Sequence, residues 1–292
     1  MQNAPAMLAQ RMMNRQAPYG PVGMVSQNMS GNKKGGGVSS VYMSVNASVS
    51  PIAVGSYDVY IFNASGTFSV LALGTNPAEG NKIEYLVIAG GGGSTTQFEG
   101  GAGAGGYKTA SGLVVTAQTY AITVGGGGSN TVGVNSSIGA AVISNGGGAA
   151  GFAVKNGGSG AGAYRDTTNN IAAGTGIAGQ GFAGGSVTFT GGATAFSTGG
   201  GGGAGGLGGN GSITVGGNGG AGLTSSITGS AVARGGGGAA YSFNGVTYNF
   251  GTSTAGGGGP SDQNGTANTG GGGSSSGAGG SGVIIIKVRA RA

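Results

Sequence analysis

The sequence contains no Cys, no His and no Trp. It can therefore build no disulfide framework, no Cys/His metal site and no histidine-based acid–base chemistry. Charge is scarce too, at 6% of 292 residues, and the six acids Asp58, Glu79, Glu84, Glu99, Asp166 and Asp262 are scattered. Nothing in their spacing points to a glycosidase pair. No Lys follows a Gly, which removes the P-loop, and matches to G-x-G-x-x-G arise from composition without a βαβ context. No catalytic residue, cofactor or metal is expected, and the chain reads as non-enzymatic. No run approaches 18 continuous apolar residues, so membrane insertion is not expected. The start Met1-Gln2-Asn3-Ala4-Pro5 lacks the basic and apolar regions of an export signal, which suggests synthesis in a cytoplasm without a signal peptide.

What the chain has in excess is glycine: 77 residues, of which only ten precede residue 90 and none follows residue 282. With six Pro, that composition would ordinarily indicate disorder. Yet 37% of residues are hydrophobic, whereas disordered chains are poor in apolar residues and rich in charge. Collagen is excluded because glycine does not recur at every third position and Pro is rare.

Helix is nearly excluded, since Gly costs roughly 1 kcal/mol relative to Ala in a helix interior; one turn could form near residues 6–16. Strands are indicated instead. Residues 57–71 alternate aromatic and β-branched residues with small polar ones around Asn63-Ala64-Ser65-Gly66, a hairpin pattern. Ile83-Glu84-Tyr85-Leu86-Val87-Ile88 is apolar on both faces, as for a central strand. Leu113-Val114-Val115-Thr116 and Tyr120-Ala121-Ile122-Thr123-Val124 suggest a second pair, and residues 136–144 another short strand. The most apolar segment is Val283-Ile284-Ile285-Ile286-Lys287-Val288. An exposed edge of that kind would aggregate, so this strand is expected to insert between N-terminal strands and close the fold.

Glycine runs occur at residues 90–93, 125–128, 199–206, 235–238, 256–259 and 270–273. A single run could be a flexible linker. Six of them, separated by segments carrying Phe152, Phe182, Phe189, Phe196, Ile213, Val215 and Ile227, suggest a packed array. A polyproline-II-type strand has three residues per turn and no internal hydrogen bonds, so side-chain-free strands can bond laterally. The eight residues 199–206 would span roughly 25 Å at about 3.1 Å per residue. Ordering them costs roughly 1–2 kcal/mol per residue, so the array must be cooperative and walled by apolar side chains.

Charge is uneven as well. Arg11, Arg15, Lys33 and Lys34 lie in the first 34 residues and Lys287, Arg289 and Arg291 in the last six, while residues between hold five bases against six acids. A nucleic-acid-binding body would carry a basic patch with interleaved aromatics, and no nucleic-acid partner is expected. Terminal basic segments suit docking arms, with solvated tails as the plain alternative. Residues 1–40, rich in Met, Gln and Asn, form the expected docking arm, with Met7, Arg11, Met12, Arg15, Met24, Lys33 and Lys34 as contact candidates. Tyr164-Arg165-Asp166 and Tyr241-Ser242-Phe243 with Tyr248-Asn249-Phe250 fall between glycine runs. Their aromatics either contact a host surface glycan or protein from loop tips, or cap the glycine array. The organisation expected is an arm over 1–40, β-sandwich strands with the first glycine insertions over 41–144, a glycine body over 145–282, and a closing strand with a basic tail over 283–292.

Five segments carry a family resemblance: Ile83-Glu84-Tyr85-Leu86-Val87-Ile88-Ala89-Gly90-Gly91-Gly92-Gly93, Gly105-Gly106-Tyr107-Lys108-Thr109, Tyr120-Ala121-Ile122-Thr123-Val124-Gly125, Gly222-Leu223-Thr224-Ser225-Ser226-Ile227-Thr228-Gly229, and Gly279-Gly280-Ser281-Gly282-Val283-Ile284-Ile285-Ile286-Lys287-Val288. In this order they resemble the glycine-rich domain of bacteriophage tail-fibre and virion structural proteins, over about residues 57–288. The resemblance implies an all-β, jelly-roll-like antiparallel sandwich from which polyglycine-II helices extend, and a location on a virion surface among other capsid or tail proteins. It implies no enzyme. Self-association, as a trimer, is suggested by analogy with jelly-roll fibres. The expected function is a capsid decoration or short head fibre, with a tail-fibre receptor-binding protein as the alternative and a self-assembling cellular surface protein as a second class.

Overall fold

Short stretches of β-branched and aromatic residues, broken by Gly, Asn and Ser, dictate strands rather than helices. In the computed structural model, which describes residues 40–94, 99–151, 155–165, 170–187, 195–260 and 263–290, every regular element is a strand. One antiparallel sheet has the order β1 (Ser44–Ala47), β4 (Gly66–Ala72), β7 (Thr119–Thr123), β8 (Ser136–Ile138), β9 (Val142–Ser144). A second has the order β2 (Ile52–Val54), β3 (Tyr57–Phe62), β17 (Val283–Arg289), β5 (Lys82–Ile88), β6 (Tyr107–Val114). Three small sheets lie in the glycine-rich part: β10 (Tyr164–Arg165) with β11 (Asn170–Ile171), β13 (Leu223–Ser225) with β14 (Val232–Arg234), and β12 (Phe196–Ser197), β15 (Tyr241–Phe243) and β16 (Tyr248–Phe250) together. The chain is an all-β sandwich bearing a glycine body.

The two large sheets face each other across one core. Phe68, Val70, Ile122, Ile138 and Val142 of the first meet Tyr60, Phe62, Ile83, Val87, Ile284 and Ile286 of the second. The opposite face of the second sheet is buried as well, with Val59, Leu86, Ile88 and Ile285 packed with Ala204 and Ile227 of the glycine-rich region. Burial on both faces explains the unbroken apolar run Val283-Ile284-Ile285-Ile286 at the start of β17, because all four of these positions are buried. This strand inserts antiparallel between β3 and β5, with Ile285 opposite Ile61 on one side and Leu86 on the other. The expected central position of residues 83–88 also holds, between β17 and β6.

Two expected hairpins are instead crossovers. β3 and β4 enter different sheets, as do β6 and β7. The reason lies in the rings: placing β3 and β4 in opposite layers lets Tyr60 and Phe68 meet edge to face across the core, with centroids 5.6 Å apart. Residues 136–144 form two strands, β8 and β9, paired through Ile138 and Val142. Of the basic C-terminal residues, Lys287 and Arg289 belong to β17 rather than to a free arm. Register places Lys287 opposite Glu84, and the two are ion-paired at 2.9 Å. Arg289 pairs with Glu79 at 3.4 Å and donates to the Tyr57 hydroxyl at 3.3 Å. Arg291 and the arm candidates Met7, Arg11, Met12, Arg15, Met24, Lys33 and Lys34 lie outside the described residues.

The glycine runs form a lattice. Successive amides of the run 199–203 donate to Ala163, Gly209, Gly238, Gly160 and Gly206, so donor direction repeats every three residues. Their carbonyls accept from Gly101, Gly185, Gly220, Ala104 and Phe182, again with a three-residue repeat. The run is thus bonded to six surrounding segments and makes no bond to itself beyond its turn to Gly206. Residues 90–93 repeat the pattern, donating to Val134, Gly280, Gly103 and Thr131. This is the lateral bonding of a threefold polyglycine helix, and it satisfies buried backbone groups without a sheet ladder. Side chains are excluded by geometry: a methyl group on Gly91, Gly201 or Gly237 would overlap the carbonyl oxygen of Gly271, Ala102 or Gly201 respectively. Three runs also open on left-handed glycines, Gly235, Gly256 and Gly270, with φ of 73°, 88° and 67°.

One buried phenol makes the sandwich sensitive to alkali. Burial first, and Asp58 second, push the Tyr60 pKa up to about 12. The unfolded chain, with Tyr near pKa ~10, releases this proton first as pH rises, so stability from Tyr60 is intact below about pH 10 and lost between about pH 10 and 12. Guanidinium midpoints are expected to fall across that window, and to fall less steeply in Tyr60→Phe.

Candidate functional site

Around Asn244-Gly245, the segments Tyr241-Ser242-Phe243 and Tyr248-Asn249-Phe250 alternate aromatic and small polar residues, which sends all the rings to one face of a hairpin. β15 and β16 pair with Tyr241 opposite Phe250 and Phe243 opposite Tyr248, and β12 adds Phe196 opposite Phe243. The five rings form a continuous cluster. Phe243 and Tyr248 lie 4.7 Å apart by centroid, Tyr241 and Phe250 stack at 5.8 Å, and Phe196 meets Tyr241 edge-on at 5.4 Å. The other face carries Ser197, Ser242 and Asn249; Ser197 and Ser242 are fully buried. The Gly216 amide donates to the Asn249 carbonyl at 3.2 Å, tying this strand to the glycine body.

A sheet with one wet face normally turns its apolar side inward. Here part of the aromatic side is outward, with Tyr248 52% and Phe250 46% exposed and Phe243 half-buried, while Val246 in the connecting turn is 84% exposed. Tyr241 sits beneath them at 2%, its hydroxyl buried without a hydrogen-bond partner among the described residues. Its pKa is raised, first by burial, then by Tyr248 and by Glu99. Glu99 is itself buried and accepts from Ser94 Oγ at 3.0 Å.

The seven aromatic-loop candidates therefore divide. Phe243, Tyr248 and Phe250 line the outward face. Tyr164 and Tyr241 are corrections, because both rings are buried and neither is available at a loop tip. Tyr164 is held under the Lys155 ammonium, 5.4 Å from its centroid, while Lys155 donates to the Ala172 carbonyl at 2.7 Å. Arg165 pairs with Asn170 at the backbone, and Asp166 lies outside the described residues. Phe196 belongs to the aromatic face, although its sequence context marked it only as a wall of the glycine array. The signal for the hairpin was the Asn-Gly turn between two alternating aromatic triplets.

A family model described as a glycine-rich domain matches residues 63–289, from the end of β3 through the end of β17. The chain belongs to this glycine-rich domain family. No curated protein and no solved structure matches it at a significant level. Within the glycine-rich domain, a shallow concavity lined by Thr252, Ser253, Gly257, Gly259, Pro260, Asn264 and Thr266 offers hydroxyl, amide and backbone groups. Among the described residues, no three acidic side chains converge.

Proposed function

We propose that this glycine-rich domain is a non-enzymatic structural protein of a bacteriophage particle, docked through residues 1–40 and projecting its glycine body outward as a capsid decoration or short head fibre. The observation that carries the reading is the lattice. A run bonded laterally to six others through backbone alone is a stiff spacer, suited to holding a surface away from its attachment point. The resemblance of residues 279–288 to the closing motif of phage fibre domains supports the same reading.

A second reading, a tail-fibre adhesin that contacts the host, is favoured by the outward rings of Tyr248 and Phe250. Partly exposed aromatics that share one face are effective contact groups for a receptor. One experiment separates the two. Deleting residues 1–34 is expected to abolish incorporation into particles, and normal incorporation would refute the docking role. Particles carrying Tyr248→Ser with Phe250→Ser should keep the protein; unchanged host adsorption supports decoration, and lost adsorption supports the adhesin.

A further inference from the structure

Six Asn-Gly steps occur, at Asn145, Asn156, Asn210, Asn218, Asn244 and Asn264. Asn-Gly is chemically fragile because glycine's lack of a Cβ lets its amide nitrogen approach the preceding side-chain carbonyl. Four of the six are held in a repeated clasp. Each Asn accepts at Oδ1 from the amide of one residue on a neighbouring run, and the following Gly amide donates to the carbonyl of that same residue. Ser186 is clasped by Asn210 and Gly211 at 2.9 Å and 2.9 Å, and Thr252 by Asn218 and Gly219 at 2.8 Å and 2.8 Å. Ala278 is clasped by Asn264 and Gly265 at 2.9 Å and 2.8 Å, and Thr175 by Asn156 and Gly157 at 2.8 Å and 3.3 Å. The fifth is held differently, with Gln180 donating to Asn145 Oδ1 at 2.9 Å and the Gly146 amide donating to Asn135 Oδ1 at 2.9 Å. In all five, the attacking nitrogen and the target side chain are both engaged by groups outside the dipeptide.

Asn244-Gly245 differs. Among the described residues its Oδ1 accepts only within its own turn, from the amides of Val246 at 3.0 Å and Thr247 at 2.8 Å, and from the Thr247 hydroxyl at 3.3 Å. Among the described residues the Gly245 amide has no acceptor. Residues 244–248 are all exposed, and Gly245 has φ of 92°.

We propose that Asn244-Gly245 is the site of spontaneous amide loss in this chain, converting Asn244 to aspartate or isoaspartate at the tip of the aromatic hairpin while the five engaged steps stay intact. The Gly245 amide nitrogen gives its proton to water and bonds to Asn244 Cγ. The Cγ–Nδ2 bond breaks, and that nitrogen takes up a proton from water and leaves as ammonia. Water then opens the cyclic imide, at Cγ to leave aspartate or at the backbone carbonyl to leave isoaspartate, with no change in oxidation state. The product places one negative charge on a hairpin whose residues 241–250 carry none.

The test uses the full chain, held folded in mildly alkaline buffer and followed by peptide mapping with isoaspartate-specific labelling, beside a sample in denaturant. In the folded protein, conversion at Asn244 is expected to lead every other Asn-Gly step by at least about tenfold, the factor that ~1.4 kcal/mol of local opening imposes on an engaged site. In denaturant the six steps should react at similar rates. Folded-state conversion at Asn156, Asn210, Asn218 or Asn264 as fast as at Asn244 would overturn the proposal, as would an Asn244 that stays intact in the folded protein yet reacts in denaturant.

Discussion

Gly201→Ala is expected to disrupt the glycine lattice and lower stability by about 3–5 kcal/mol, the sum of overpacking and of buried backbone bonds left unmade. Gly201 donates to the Gly238 carbonyl at 2.9 Å and accepts from Gly220 at 2.8 Å, so the run sits between two others with no slack. The added methyl group would overlap the Ala102 carbonyl, which is backbone and cannot swing aside. In a domain of this size the melting temperature should drop by roughly 10 °C or more. Gly206→Ala is the matched control in the same stretch. Its methyl group would meet Ala221 N at 3.6 Å and Ala221 Cβ at 3.7 Å, which are ordinary contacts. That variant should be neutral, or more stable by about 0.4–1 kcal/mol through reduced freedom of the unfolded chain. Calorimetry of the pair decides the matter: equal melting would mean that the runs are not packed as a lattice.

Removal of residues 283–292 is expected to leave no folded protein. The deletion takes out β17, which separates β3 from β5 and contributes Ile284 and Ile286 to one core and Val283 and Ile285 to the other. Two strand edges would then stand unpaired beside opened apolar clusters, a state prone to aggregation. A peptide of residues 283–290 supplied during refolding should restore solubility and a cooperative transition, since strand register on both sides is set by the partners that remain. A truncated chain that is soluble and melts cooperatively without the peptide would show that the sandwich closes without its central strand.

Much of this architecture is legible in the residues themselves. Val283-Ile284-Ile285-Ile286 can only be a strand covered on both faces, and it lies between β3 and β5. Clusters of glycine among apolar segments point to laterally bonded runs, and the three-residue repeat of donors bears that out. What the alternation in residues 57–71 could not decide was partnership. An alternating pair around a short turn fits a hairpin and a crossover equally, and the choice rests on the Tyr60–Phe68 contact between layers. Burial at the aromatic site was hidden for a similar reason. Tyr241 and Tyr248 carry the same ring, yet the first lies below Phe196, Tyr248 and Phe250, while the second forms the outward surface. The clasps made by Asn156, Asn210, Asn218 and Asn264 were invisible as well, because each depends on which run lies alongside.

The central position of β17 also sets an order of events during synthesis. β3 and β5 leave the ribosome long before the strand that must lie between them, with the glycine-rich residues 145–282 made in the interval. Loop closure over that span must precede any contact that rewards it, so folding is expected to be late and slow rather than progressive. A chain interrupted before β17 then cannot close its sandwich, and translation through Arg289 becomes the condition for a usable molecule.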